Sequence, residues 1–214
     1  IKSALDQLGL PYTDVKDAQG HFKNALLGGT EWDLIISANE YREGATGEFF
    51  EYMADAMWNG SGIILEVWDM DSFVNGKVQL LLNECGVSYQ GDYTNATEAE
   101  KLLTIHAPDH PVVNIYNDNI RMTSLLDYWG WFWDSGDYMQ IDHTGDAVIV
   151  LGARANTNTQ YGTVVSCVQD RFVLQTHSTH TYSKDRSVPL WQNYIVSTLL
   201  ARYLYLYPDA VIDY

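Results

Sequence analysis

Carboxylates form the first group of residues whose types and spacing suit catalysis. Glu66 lies in an otherwise apolar stretch, Asp69 and Asp71 follow it closely, and Glu40 follows an earlier apolar stretch. Paired carboxylates act as general acid and general base in glycoside hydrolysis. In a strongly acidic protein such residues are more often solvated loop acids, and we favour that interpretation for most of them. Glu66 differs, because a carboxylate inside a buried strand needs a hydrogen-bond donor or the exposed end of the strand. We therefore keep Glu66 and Asp69 as catalytic candidates and Glu40 as a ligand-binding candidate.

Histidines form the second group. His177 and His180 lie in a segment rich in Ser and Thr, and His143 lies elsewhere in the chain. Imidazoles at such spacing can share a metal ion. No compact carboxylate–histidine signature accompanies them, so the sequence predicts no metal site and no cofactor. His177 is the third catalytic candidate, and His180 is a ligand-binding candidate.

Aromatic residues form the third group. Residues 128–133 read Tyr-Trp-Gly-Trp-Phe-Trp, the densest aromatic cluster of the chain. Such a cluster is typical of core packing beneath a loop, which we favour. It is also typical of a stacking platform for a sugar or another flat ligand. Trp131 of this cluster and Trp68, beside Asp69, complete the ligand-binding candidates.

The elements that must position these residues begin with a strand–helix–strand unit. Residues 32–37 and 62–68 are short apolar runs rich in β-branched residues, which is typical of parallel strands covered on both faces. A helix over 47–58 joins them in a right-handed crossover. Ligands bind beyond the carboxyl ends of such strands. We therefore expect Glu66 and Asp69 to lie at one end of the sheet together with Glu40, Trp68 and His177.

The rest of the chain predicts a single α/β domain over 1–214. Its order of elements is typical of a three-layer, doubly wound, mostly parallel sheet of flavodoxin-like type. An antiparallel hairpin is added near the sheet edge. The remaining predicted helices cover residues 1–8, 21–27, 74–84 and 189–203. The remaining predicted strands cover residues 11–15, 85–89, 147–151, 163–168 and 172–176.

Charge and composition exclude several functions. Twelve basic residues against 28 acidic ones give a net charge of −16, which repels nucleic acid and anionic membrane surfaces. No apolar run is long enough to span a bilayer. Scarce lysine with abundant Asp, Asn and Tyr favours an extracellular or cell-envelope location, although a salt-adapted cytoplasm produces a similar bias. Cys85 and Cys167 form either one disulfide or two buried thiols.

The segment 175–180, Gln-Thr-His-Ser-Thr-His, carries a family resemblance. With the preceding strand order, it resembles the class I glutamine amidotransferase-like superfamily, closest to its ThuA-like branches. In that family a Gln-x-His-Pro-Glu motif supplies the catalytic base and the residue that orients it. His177 matches the histidine, whereas Ser178 and Thr179 replace the proline and the glutamate. The family's cysteine nucleophile follows the strand that matches 62–67, where this chain has Trp68 and Asp69. The resemblance thus implies the fold without glutamine hydrolysis.

Two functional hypotheses follow. The first is a non-catalytic amidotransferase-like domain of a larger extracellular or envelope protein, serving assembly or ligand binding. Its partners would be other domains of the same protein or copies of itself. The fold also predicts a central strand before the helix at 1–8, so we expect that slot to be filled by upstream residues, residues 210–214 or another subunit. The alternative is a carbohydrate-active hydrolase that uses the cleft carboxylates and His177.

Overall fold

The computed structural model describes residues 1–39, 47–94, 103–122, 134–142, 145–153 and 159–212. Helices in these parts are α1 (Lys2–Leu8), α2 (Gln19–Leu27), α3 (Phe49–Trp58), α4 (Gln79–Cys85), α5 (Pro111–Asn114) and α6 (Lys184–Leu206). The strands are β1 (Leu34–Asn39), β2 (Gly62–Val67), β3 (Val87–Thr94), β4 (Leu103–Ile105), β5 (Asp134–Ile141), β6 (Val148–Ala153), β7 (Tyr161–Gly162), β8 (Val164–Cys167) and β9 (Phe172–Gln175).

The strands form two sheets. The larger has the order β1-β2-β9-β8-β6-β4, and the smaller has the order β3-β5-β7. In the larger sheet β1, β2 and β9 pair in parallel, and the pairs β9–β8, β8–β6 and β6–β4 are antiparallel. Consequently β1, β2, β9 and β6 run in one direction, and only β8 and β4 oppose them. The predicted α/β fold, with a mostly parallel sheet and an added antiparallel hairpin, is confirmed.

The hairpin occupies a different place from the one expected. We predicted the β8–β9 hairpin near the edge of the sheet, but it lies in the middle, with β9 against β2 and β8 against β6. Every residue of both strands is buried, as expected for strands that have neighbours on both sides. The hairpin therefore delivers the segment after β9 to the centre of the molecule.

The large sheet separates two hydrophobic cores. On one face Ile63 and Leu65 lie in a core with Phe50 and Met53 of α3. On the other face Ile64 lies in a core with α1 and α6. Every residue of β2 is buried, as expected for a strand covered on both faces. Three layers result, and the ends of the central strands are the place where a site can form.

Two strand predictions were wrong. Residues 11–15 form no strand, because the Asp14 side chain accepts a hydrogen bond from the Lys16 amide (2.9 Å) and turns the chain there. The strand after Cys85 exists as β3, but it pairs antiparallel with β5 in the small sheet instead of joining the large one.

The final helix is longer than predicted. It begins at Lys184, ahead of Pro189, which we had expected to occupy its first turn. Proline removes one backbone donor within the helix. Trp191 and Tyr194 follow the proline in the same helix, and both are buried against the sheet. None of the helices in the described ranges is long and apolar enough to cross a membrane.

Cys85 and Cys167 form a disulfide, with an Sγ–Sγ distance of 2.05 Å and a Cα–Cα distance of 5.2 Å. Cys85 ends α4 and Cys167 ends β8, and both are buried. The sequence left open whether these residues were paired. The bond fastens one helical layer to the central sheet.

Candidate functional site

The carboxyl ends of β2 and β9 bring four of the candidate residues together. Glu66 and Gln175 are partners in the parallel register of these strands. Trp68 and Asp69 follow β2, and His177 follows β9. Of the five residues expected to cluster, Glu66, Trp68, Asp69 and His177 therefore lie at one end of the sheet, and Glu40 is outside the described residues. All four residues are buried.

Glu66 is fully enclosed and hydrogen-bonded. Its Oε1 accepts from the backbone amide of Thr179 (2.7 Å) and from Nε2 of Gln175 (3.1 Å), and only 2 % of the residue is exposed. Burial raises the pKa of the Glu66 carboxyl, and the hydrogen bonds from Thr179 and Gln175 oppose that rise. Glu66 thus finds within the protein the donors that a buried carboxylate requires.

Gln175 connects Glu66 to the last helix. Its Nε2 also lies 3.0 Å from the carbonyl oxygen of His177 and 2.9 Å from Oγ1 of Thr179. The Tyr194 hydroxyl donates to Oε1 of Gln175 (2.9 Å), and Nε1 of Trp191 donates to Oγ1 of Thr179 (3.0 Å). These contacts form one buried polar network between β2, β9 and α6. Satisfied networks of this kind specify a unique core arrangement.

His177 is a neutral histidine in a closed environment. Its Nδ1 lies 3.2 Å from Oγ1 of Thr163, and its ring meets the Tyr182 ring edge-on at 5.7 Å. Burial lowers the pKa of His177 to about 3, although the contact with Thr163 opposes that change. The imidazole is therefore uncharged at neutral pH.

The small sheet closes over this end of the large one. Asp137 of β5 is fully buried, its backbone amide donates to the carbonyl of Thr176 (2.7 Å), and its Oδ2 accepts from the Met70 amide. The Thr176 hydroxyl donates to the carbonyl of Asp137 (2.6 Å). Glu66, Asp69 and Asp137 are therefore three buried acids around the ends of β2 and β9. Asp137 was missed from the sequence, because no local pattern marks it.

Close approach of the two sheets depends on Gly136. It adopts φ +135°, and a Cβ there would lie 2.7 Å from Cα of His177 and nearer still to the carbonyl oxygen of Thr176. We expect Gly136→Ala to lower the free energy of unfolding by about 2 kcal/mol, because it adds both overlap and backbone strain. Urea denaturation measures this. Gly91→Ala in the same sheet is the control, since its Cβ would meet nothing within 4 Å. Equal losses of unfolding free energy in Gly136→Ala and Gly91→Ala would contradict the close approach of the two sheets at Gly136.

The turn after β2 has neither the strained backbone of a nucleophile turn nor a thiol that could act as the nucleophile. Asp69 has φ −122° and ψ 48°, and the chain then enters a short 3-10 helix, Met70–Ser72. No residue between 67 and 72 has a positive φ. Both thiols of the chain are consumed by the disulfide. An activated nucleophile within reach of His177 is therefore absent from this turn.

The other candidate residues are either exposed or outside the described part of the chain. His180 is exposed on the segment after β9, and its amide donates to Oγ of Ser178 (3.2 Å). Glu40, Trp131 with its cluster 128–133, and His143 fall outside the described residues. Within the described ranges no three His, Cys, Asp or Glu side chains are placed to hold a metal ion. Among the candidates that the structure describes, the buried set is thus the one assembled at the site.

This architecture is a three-layer α/β fold of flavodoxin-like type with a mostly parallel central sheet. A solved structure that shares it belongs to a Thermoplasma acidophilum protein assigned as a GMP synthase subunit. The match covers 95 % of this chain and 89 % of that one, with a TM-score of 0.51 and 9 % identity. Similarity at this identity shows the fold alone. A scan of protein-family models and a search of curated proteins give no match.

Proposed function

We propose that the chain is a non-catalytic amidotransferase-like domain of an extracellular or cell-envelope protein and that it serves assembly or ligand binding. The proposal rests on His177, which lies at the position where the amidotransferase family that this chain resembles has its catalytic base. His177 occupies that position as a buried imidazole whose Nδ1 lies against the Thr163 hydroxyl. A catalytic base must instead reach a nucleophile and exchange a proton with it.

The absence of a thiol after β2 supports the same proposal. Trp68 and Asp69 stand where the family has its nucleophile, and both are buried. Glu66 directs its carboxylate at Thr179 and Gln175, inside the protein. Polar groups that are bonded to one another in this way hold the ends of β2, β9 and α6 in place. We assign them a structural role.

The disulfide and the charge support the proposed location. Disulfides persist in oxidising compartments and are rare where thiols are kept reduced. A buried Cys85–Cys167 bond suits a secreted or surface-exposed protein. The net charge of −16 suits a partner that is neither nucleic acid nor an anionic membrane. Partners of this domain are then proteins or carbohydrate.

The test is a glutaminase assay combined with a thiol-directed glutamine analogue. We expect no release of glutamate and no covalent labelling, because no free thiol lies beside His177. An active class I amidotransferase provides the positive control. Stoichiometric labelling of either cysteine in the folded, unreduced wild type, together with glutamate release that the labelling abolishes, would contradict the proposal.

A carbohydrate hydrolase remains a second candidate, favoured by one observation. Burial raises the pKa of Glu66, as in carboxylic acids that act as proton donors, and Asp69 follows the same strand in the chain. The discriminating experiment measures glycoside hydrolysis by wild type, Glu66→Gln and Asp55→Asn. Asp55 lies on an exposed position of α3 and serves as the matched control. Hydrolysis lost only in Glu66→Gln would favour this candidate over the non-catalytic one.

A further inference from the structure

The surface turn between α3 and β2 carries a sequence pattern that the proposed function does not use. Residues 59–61 read Asn-Gly-Ser, the pattern of an asparagine that accepts an N-linked glycan. The chain has one other such triplet, Asn95-Ala96-Thr97, which lies outside the described residues. A triplet is a short signal, and its value as a site depends on how the structure presents Asn59.

Asn59 presents its side chain to solvent from a fixed turn. The residue is exposed, directly after the last residue of α3, and its backbone amide donates to the Asp55 carbonyl (3.0 Å). Gly60 then turns the chain with φ +100°, and its amide donates to the Met57 carbonyl (3.0 Å). No described residue hydrogen-bonds to the side-chain amide of Asn59. The turn is therefore held by its backbone, and the side-chain nitrogen is accessible for attachment.

Exposed apolar side chains lie next to this turn. Trp58, directly before Asn59, is 49 % exposed, and residues 203–207 at the end of α6 read Tyr-Leu-Tyr-Leu-Tyr and are all exposed. A Cβ on Gly60 would lie 3.4 Å from Cε1 of Tyr205 and 3.5 Å from Cδ2 of Leu206, so the turn contacts the end of α6. Exposed apolar surface of this kind marks a place that another group covers.

Tyr205 forms a rigid part of this surface. Arg171 is buried, its Nη1 donates to the Met57 carbonyl (2.9 Å), and its guanidinium carbon lies 3.8 Å from the centre of the Tyr205 ring. The attraction between the cation and the ring face holds the ring in place, while 43 % of Tyr205 stays exposed. A fixed, exposed aromatic ring beside the acceptor turn suits the apolar C–H face of a sugar.

We propose that Asn59 carries an N-linked glycan and that this glycan covers Trp58 and the exposed end of α6. The inference rests on the extracellular location in the proposed function, because glycans are added to this pattern on secreted chains. In the transfer, Nδ2 of Asn59 bonds to the anomeric carbon of a glycan carried on a lipid diphosphate. The bond from that carbon to the diphosphate oxygen breaks, the lipid diphosphate leaves, and Nδ2 loses one proton.

Ser61 determines when the transfer occurs. Its hydroxyl is part of the acceptor pattern, and only 7 % of the residue is exposed in the folded protein. The transferase must therefore read the pattern before β2 folds, and the finished glycan then lies at the amino end of that strand. Glu66 and its polar network lie towards the carboxyl end of β2. The glycan and the candidate site thus occupy opposite ends of one strand.

Mass spectrometry of the 214-residue chain, secreted from a eukaryotic host, tests the attachment. The Asn95→Gln background leaves Asn59 as the remaining acceptor pattern. We expect a glycan at Asn59 that a peptide N-glycosidase releases with conversion of Asn to Asp. Asn59→Gln and Ser61→Ala should each abolish it. Asn24, exposed on α2 with Leu26 two positions later, is the matched control and should stay unmodified. An unmodified Asn59 in the secreted chain overturns the proposal.

Binding of a hydrophobic fluorescent dye tests the coverage in the same Asn95→Gln background. We expect a several-fold rise in dye fluorescence after glycosidase treatment and in Asn59→Gln. Adding Trp58→Ser to Asn59→Gln should lower that signal. Adding Tyr116→Ser should not, since Tyr116 is equally exposed but lies beside Asn193 in the first half of α6. Equal fluorescence with and without the glycan overturns the coverage.

Circular dichroism establishes that the treated protein and the variants are folded. An unmodified Asn59 leaves both the disulfide and the absence of glutaminase activity untouched. A failure here is therefore distinct from a failure of the proposed function.

Discussion

Replacing Cys85 and Cys167 together by alanine is expected to lower the free energy of unfolding by about 4–5 kcal/mol. The disulfide joins residues 82 positions apart, so its loss releases a long loop in the unfolded chain. Alanine is preferred to serine because both sites are buried, and a buried hydroxyl would need a partner. Folded domains have a net stability of only about 5–15 kcal/mol. The variant would therefore lie near its unfolding limit.

Urea denaturation of the variant and of wild type measures this loss. Wild type reduced with dithiothreitol is the control, because it breaks the bond without deleting sulfur atoms, and it should approach the stability of the variant. A loss below about 1 kcal/mol, which is typical of an ordinary point substitution, would contradict the prediction. It would mean that the connection between α4 and β8 is held by packing alone.

Acid is expected to destabilise the protein through His177. In the unfolded chain this imidazole takes up a proton near its ordinary pKa of 6.5, whereas in the folded protein its pKa is about 3. The unfolded state binds more protons between these two values, so the free energy of unfolding falls as the pH falls across that window. The full effect is on the order of 5 kcal/mol. It is absent above the ordinary pKa.

His177→Gln should flatten this pH dependence, although it also removes the ring contact with Tyr182 and lowers stability overall. His21→Gln, at an exposed position of α2, is the matched control for a histidine substitution. Glu66 acts in the opposite direction. Because its pKa is raised, its stabilising contribution is present at low pH and is lost as the pH rises through the raised value. An acid slope that is unchanged in His177→Gln would contradict our placement of this residue.

The strand–helix–strand unit could be predicted from the sequence because the patterns that indicate it are local. Apolar residues at helical spacing predicted α3, and the unbroken apolar run predicted the fully buried β2. The parallel arrangement then placed Glu66 and Asp69 at one end with His177. Local periodicity and one topological rule were sufficient for this part of the site.

The remaining features depend on distant contacts. Gln175 and Glu66 are 109 positions apart, and no local sequence pattern near Gln175 indicates that Glu66 is its partner. Residues 11–15 do not form the expected strand, because the Asp14 side chain accepts a hydrogen bond from the Lys16 amide. This local bond competes with the backbone hydrogen bonds of a strand. The residues of β3 could form a strand in either the large or the small sheet. The antiparallel pairing of β3 with β5 places it in the small sheet.

The disulfide also changes what a break in the chain would mean. Cys85 and Cys167 close a covalent ring that contains all three strands of the small sheet, β3, β5 and β7. A protease that cuts once inside this ring would create a new pair of termini without releasing a fragment. The product would be a nicked, two-chain molecule of unchanged mass apart from one added water. Its halves would separate only on reduction, so the sheet that covers the ends of β2 and β9 would stay attached after such a cut.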